Sequence, residues 1–123
     1  MTREEFIRVV KIQTSDSAVS GTIAGLRQPA GRKPNERDVV LSEWFNRLSS
    51  HDQIMVEQSL RKAAELAIFS FLGVIDGISA IEDDDEKGEL VLLYKRNNET
   101  TLLNDSSAES LHDEYNWICQ NPE

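Results

Sequence analysis

Apolar residues recur at steps of three and four over most of the first 75 positions, and after Gly77 the period changes toward shorter, strand-like segments. Thr2-Arg3-Glu4-Glu5 has the form of a capping box, in which Thr2 accepts from the Glu5 amide and Glu5 reaches back. Phe6, Val9 and Val10 follow at helical spacing, so residues 3–12 are predicted to form a short helix. The β-branched Ile7, Val9 and Val10 keep a strand open there. Residues 14–35 carry Gly21, Gly25, Gly31, Pro29 and Pro34, and Ser20–Leu26 fits either a strand or a helical turn. From Gln28 to Asn35 the pattern reads as an exposed loop, flexible near 27–36. Glu36–Leu48 is predicted as a helix with Leu41, Phe45 and Leu48 on one stripe and Val40 and Trp44 beside it.

The longest element runs from about His51 to Ile75, opened by a second capping box at Ser50-His51-Asp52-Gln53. Val56, Leu60, Ala63, Ala67 and Phe71 form its apolar face. From Leu66 onward nearly every residue is apolar, which predicts a helix enclosed on all sides. Ala63, Ala64 and Ala67 are small enough to let a neighbouring element come close. Asp76-Gly77 suits a left-handed helix stop at the glycine. Ile78 and Ile81 flank a short segment with strand character, and 82–88 is polar and turn-like. Glu89–Lys95 is a strong strand candidate, apolar on both faces in its middle. Asn97-Asn98 turns the chain, and Thr100–Leu103 is a further strand. Ser106-Ser107-Ala108-Glu109 is a third capping box before a helix lined by Ala108, Leu111, Tyr115 and Ile118. The whole is an α+β layout over a single domain, 1–123. N-terminal helices lead to a long buried central helix, an antiparallel two- to three-stranded meander and a C-terminal helix.

The length suits one domain with a core large enough to fold without staples, and 39% apolar residues exclude wholesale disorder. The single Cys119 allows neither an intrachain disulfide nor a thiolate zinc site, and fits a reducing compartment. The first residues lack the basic and apolar regions of a signal peptide. The longest apolar stretch is about half a bilayer span, so no membrane role is expected and the location reads as cytoplasmic.

Charge sharpens the picture. The net charge is −9, but residues 1–50 hold eight Lys or Arg against six Asp or Glu, whereas 51–123 hold five against sixteen. An acidic half speaks against nucleic acid, whose phosphates need clustered cations. It suits a basic protein partner, and it also suits plain solubility. Arg27, Arg32, Lys33 and Arg37 make a modest basic patch that could meet the acidic half of another copy, giving a homodimer.

No catalytic motif stands out, and neither a cofactor nor a metal is expected. The acid run Asp83, Asp84, Asp85 and Glu86 fails as an EF-hand, because Lys87 and Tyr94 fall where ligands are required. It reads as a solvated hairpin loop, as a docking patch for a basic partner, or as a weak surface cation site. His112 and Cys119 lie about 10 Å apart along one helix, too far for a thiolate–imidazole pair. The glycines near Arg32-Lys33 do not match a phosphate cradle. Asp76, at the end of an apolar run, fits either an Asx-type turn that holds backbone amides or a cleft carboxylate acting with His112.

Three stretches carry a resemblance: Phe71-Leu72-Gly73-Val74-Ile75-Asp76-Gly77, Glu89-Leu90-Val91-Leu92, and Leu102-Leu103-Asn104 with Leu111-His112-Asp113. Together they resemble small bacterial proteins of unknown function, some of them similar to immunity proteins of toxin systems. That resemblance implies a protein-binding module, an immunity-type inhibitor of a basic toxin domain, with no catalytic residue. The alternatives are a small enzyme with an Asp76/His112 cleft and a homo-oligomeric structural protein. Convergence of Asp76 and His112 within a closed apolar pocket would favour the enzyme.

Overall fold

A computed structural model describes residues 1–78, 82, 83, 85, 86 and 88–122. The fold is α+β. Helix α1 (Arg3–Val10) begins at the expected capping box: the Glu5 amide donates to Thr2 Oγ1 at 3.1 Å, and the Thr2 amide donates to the Glu5 carboxylate at 3.1 Å. The chain does not stop near residue 12. It passes through a π-helical turn, Lys11–Asp16, into α2 (Ser17–Arg27). Ser20–Leu26 is therefore helical, because Val19, Ile23 and Leu26 fall on one face and bury it. Residues 28–35 form the expected loop, with Gly31 at φ +86°.

Helix α3 (Glu36–Asn46) is capped by Asn35, whose side chain accepts from the Asp38 amide at 2.9 Å. It buries Phe45 and Ser42, while Leu41 faces solvent with Val40 and Trp44. The predicted stripe thus holds at Phe45 and fails at Leu41. Helix α4 (Ser50–Ile75) is capped by Ser49 rather than Ser50, with Ser49 Oγ accepting from the Asp52 amide. It is 26 residues, about 39 Å long. Its stop is a Schellman motif: the Ile78 amide donates to the Gly73 carbonyl, the Gly77 amide to that of Val74, and Gly77 takes φ +79°.

Strands β1 (Leu93–Arg96) and β2 (Glu99–Leu102) pair antiparallel, Leu93 opposite Leu102 and Arg96 opposite Glu99, around the Asn97-Asn98 turn. Asn97 has φ 55°, which asparagine tolerates in such turns. The strand expected from Glu89 starts only at Leu93. Ahead of it Leu92 is fixed individually, its carbonyl accepting from the Leu103 amide and its amide donating to Asn104 Oδ1. The segment expected near Ile78–Ile81 puts Ile78 in the α4 stop, and 79–81 lie outside the described residues. Helix α5 (Leu111–Gln120) starts at Ser110, not Ser106, and leaves Ala108 exposed. Asp105 takes the Ser107 amide and hydroxyl instead, turning the chain before the helix.

Two clusters form the core, both against α4. Ile7, Leu72, Leu111 and Tyr115 join α1, α4 and α5, supported by Ile68, Phe69, Ile75 and Leu92. Ile23, Leu26 and Phe45 join α2 and α3, supported by Val56 and Leu60. Each fully buried aliphatic side chain contributes about 1.5–3 kcal/mol. Buried polar contacts lock the elements: Tyr115 Oη donates to Ser15 Oγ at 2.8 Å, and Arg3 Nε meets Glu114 at 2.9 Å. The expectation that α4 is enclosed on all sides beyond Leu66 does not hold. Phe71 is 60% exposed, and Leu66, Ala63 and Ala67 also face solvent. The inward stripe there is Ile68, Phe69, Leu72 and Ile75, rotated from the one the spacing suggested.

Candidate functional site

Asp76 and His112 lie 36 residues apart and meet where α4 ends and α5 begins. Asp76 is the C-terminal cap of α4; His112 is in the first turn of α5. One carboxylate oxygen, Asp76 Oδ2, accepts from the His112 amide at 2.9 Å and contacts His112 Nδ1 at 2.6 Å. Both side chains are largely buried, 6% exposed for Asp76 and 12% for His112. The contact places the Nδ1 proton toward the carboxylate, because an ionised carboxylate only accepts. Phe69 packs edge-on against the imidazole, ring centroids 5.4 Å apart.

This geometry joins two helices. Ser110 and Asp76 share the work of capping α5, Ser110 at the Asp113 amide and Asp76 at the His112 amide. The same carboxylate sits at the negative end of the α4 dipole and the positive end of the α5 dipole, so the two effects oppose each other. Asn104 completes the joint. Its Nδ2 donates to the carbonyls of Ile75 (2.9 Å) and Leu90 (2.7 Å), and its Oδ1 accepts from the Leu92 amide (2.9 Å). No local sequence pattern marks Asn104 for this role, since all three of its partners are more than ten positions away and none shares an element with it.

The pair has the hydrogen bond that acid–base chemistry needs, but not the rest of such a site. His112 Nε2 faces Asp113 Oδ1 at 3.6 Å, and among the described residues no hydroxyl or thiol is hydrogen-bonded to His112. The neighbouring cleft includes Asp76 and not His112 in its lining. Burial pushes the Cys119 thiol up to about 11, against a weaker opposing hydrogen bond from Tyr115. It is thus a poor nucleophile at neutral pH. Among the described residues no three His, Cys, Asp or Glu side chains gather at metal-binding distance.

That cleft, about 310 Å³, opens between the end of α4, the approach to β1 and the turn after β2. Val74, Leu90, Val91 and Leu102 give it apolar walls; Asp76, Glu82, Glu89 and Asp105 bring four carboxyl groups, and its described lining holds no Lys or Arg. Glu82 accepts from the Gly88 amide at 3.0 Å. Hydrogen bonds from the Ser107 amide and hydroxyl hold the Asp105 carboxyl below the usual carboxylate range. The expected docking residues Asp83, Asp85 and Glu86 are exposed in the same segment as Glu82, and Asp84 lies outside the described residues. Arg27, Arg32, Lys33 and Arg37 are exposed in the other half of the chain. Among the described residues Glu114 is the one acid beyond position 50 that pairs with a Lys or Arg.

A third polar group escaped the sequence reading. Asp16, at the end of the π-helical turn, takes both Lys11 Nζ and Arg61 Nη1 at 3.0 Å. Burial alone would raise its carboxyl, but the hydrogen bonds and charges of Lys11 and Arg61 outweigh it and hold the group below its ordinary value. The extra residue of a π turn re-aims the side chains that follow, which spacing rules for an α-helix do not anticipate.

Among the described residues no helix is long and apolar enough to cross a membrane. Comparison with protein-family models, curated proteins and solved structures finds no match for this chain.

Proposed function

We propose that this chain is a protein-binding module whose acidic C-terminal half docks a basic partner, in the manner of an immunity-type inhibitor covering a basic toxin domain in the cytoplasm. One observation carries the reading: a cleft with apolar walls and four carboxyl groups, flanked by exposed Asp83, Asp85 and Glu86, with no cation in its described lining. A partner's Arg or Lys fits such a cleft, its methylene stem against Leu90 and Leu102 and its charged head among Glu82, Glu89 and Asp105. Among the described residues none of the flanking acids Asp83, Asp85 and Glu86 pairs with a Lys or Arg, which supports a field that steers a basic surface in.

The enzyme reading draws on the 2.6 Å contact between His112 and Asp76. It is the weaker of the two, because Asp76 Oδ2 already serves the His112 amide and, among the described residues, no hydroxyl or thiol is hydrogen-bonded to the imidazole. The test is capture from native host lysate with three baits: the unaltered chain, a Glu82→Lys/Glu89→Lys/Asp105→Lys variant, and His112→Ala. A protein retained by the first and third at low salt and lost by the second supports docking at the cleft. Equal retention by all three would refute it.

A further inference from the structure

Strands β1 and β2 pair only with each other, so each has an outer edge. The ladder fixes which backbone groups point outward. The Leu103 amide donates to the Leu92 carbonyl at 2.9 Å, which makes Leu92 and Leu103 a hydrogen-bonded pair. Alternation along the register then makes Tyr94–Thr101 and Arg96–Glu99 the other bonded pairs. Leu93 and Lys95 on β1, and Thr100 and Leu102 on β2, therefore turn N–H and C=O away from the hairpin. Among the described residues no backbone hydrogen bond from outside the hairpin reaches these groups, and neither strand lies along a helix.

A two-stranded ribbon is marginal by itself in water, and an open edge is a template for a third strand. The two edges differ. β1 carries Lys95 and Arg96, and an edge lysine guards against strand addition. β2 carries Glu99, Thr100 and Thr101 with no cation, and threonine favours strands. Leu102 closes β2 and lines the acidic cleft, as do Asn104 and Asp105 just beyond it. Leu93 and Leu102 stand opposite each other on one face of the hairpin, 44% and 43% exposed. A strand added at β2 thus runs along an unguarded edge and into a cleft that Glu82, Glu89 and Asp105 line.

We propose that a basic segment of the partner protein is taken up as a third strand on the outer edge of β2, its backbone paired with Thr100 and Leu102. Main-chain bonds supply affinity, and the carboxyl groups of the cleft supply the preference for a basic sequence. Alternate side chains of a strand share a face, so lysine or arginine at every second position lays its stem over Leu102 and reaches the cleft. The positions between stand beside Thr101. The edge of β1 does not suit this occupant, because Lys95 and Arg96 repel it. The charge of the occupant rests on the docking reading; the edge rests on the hairpin alone.

Amide hydrogen exchange followed by NMR tests the strand addition, with a synthetic peptide of about eight residues alternating lysine with threonine as the probe. Saturating peptide at low salt is expected to slow exchange at the Thr100 and Leu102 amides at least about tenfold and to leave Leu93 and Lys95 unchanged. Thr100→Pro removes one outward N–H and keeps the ladder bonds of Glu99 and Thr101, and is expected to weaken peptide binding about tenfold. Lys95→Pro, the same change on the β1 edge, is expected to keep it. Peptide that shifts the cleft resonances without protecting Thr100 and Leu102 overturns the strand addition and leaves docking at the cleft standing. Protection at Leu93 and Lys95 instead, no response to the peptide, or unchanged affinity in folded Thr100→Pro also overturns it. Equal protection of Thr100 and Leu102 in the Glu82→Lys/Glu89→Lys/Asp105→Lys variant removes the role of the cleft and leaves the β2 edge standing.

Discussion

Replacing Asp76 by alanine tests whether the Asp76–His112 contact is a joint or a reactive pair. The substitution strands two donors at once. The His112 amide loses its acceptor in the first turn of α5, a capping loss of about 1 kcal/mol. The imidazole Nδ1, on a side chain only 12% exposed, loses its partner as well, at about 1–3 kcal/mol. Removing the charge changes little through the helix dipoles, because the carboxylate faces the unfavourable end of α4 and the favourable end of α5. The expected destabilisation is about 2–4 kcal/mol, or about 6–20 °C in Tm for a chain of this size. Urea unfolding followed by circular dichroism at fixed protein concentration measures it, and an unchanged m-value shows that the folded state is still the same. Asp76→Asn keeps an acceptor oxygen and is expected to lose about half as much. An Asp76→Ala variant within about 0.5 kcal/mol of the parent would refute the joint, since surface changes of no structural consequence fall in that range.

Other outcomes follow from the same contacts. Asp16 has a depressed carboxyl pKa in the folded chain, so its contribution is present above the unfolded value of about 3.9 and is lost as pH falls through the lower folded value. Asp16→Asn should flatten that acid limb of the stability curve and cost about 1–3 kcal/mol at neutral pH, read by urea melts at several pH values. Cys119, pushed up to about 11, should react with iodoacetamide at neutral pH at least tenfold more slowly than a free cysteine. Charge reversal at Asp83, Asp84, Asp85 and Glu86 should slow association with a captured partner about tenfold at low salt and flatten its salt dependence, with little change in dissociation rate.

Local chemistry was readable where local chemistry decides. Thr2 and Glu5 cap α1 as their spacing indicates, Gly77 takes the left-handed stop, and Asn97-Asn98 turns the hairpin. Cap positions slipped where serines repeat. Ser49 and Ser50 are both competent caps, and Ser110 competes with Ser106, so the choice falls to which start lets the helix face its neighbours. Faces were harder. Val56, Leu60, Ala63, Ala67 and Phe71 form one stripe on any helix, but only tertiary packing decides that α2 and α3 cover its first part and that α1 and α5 take a different side farther on. Strand length was overread at Glu89–Leu92, because apolar runs indicate burial or contact and not ladder pairing. In the candidate site, Asp76 was marked by its place at the end of an apolar helix and His112 by its type. The 36 residues between them left their meeting to the packing of α4 on α5, and Asn104, with partners at Ile75, Leu90 and Leu92, had no pattern to announce it.

The central claim is that the carboxylate cleft receives a basic protein. Its most direct measurement is the association rate of the captured partner with the unaltered chain and with the Glu82→Lys/Glu89→Lys/Asp105→Lys variant, from about 20 to about 500 mM salt. The unaltered chain is expected to associate at least tenfold faster at the low-salt end, falling steeply with salt, and the variant to bind slowly and with little salt dependence. Equal rates and equal salt dependence for the two chains would contradict it.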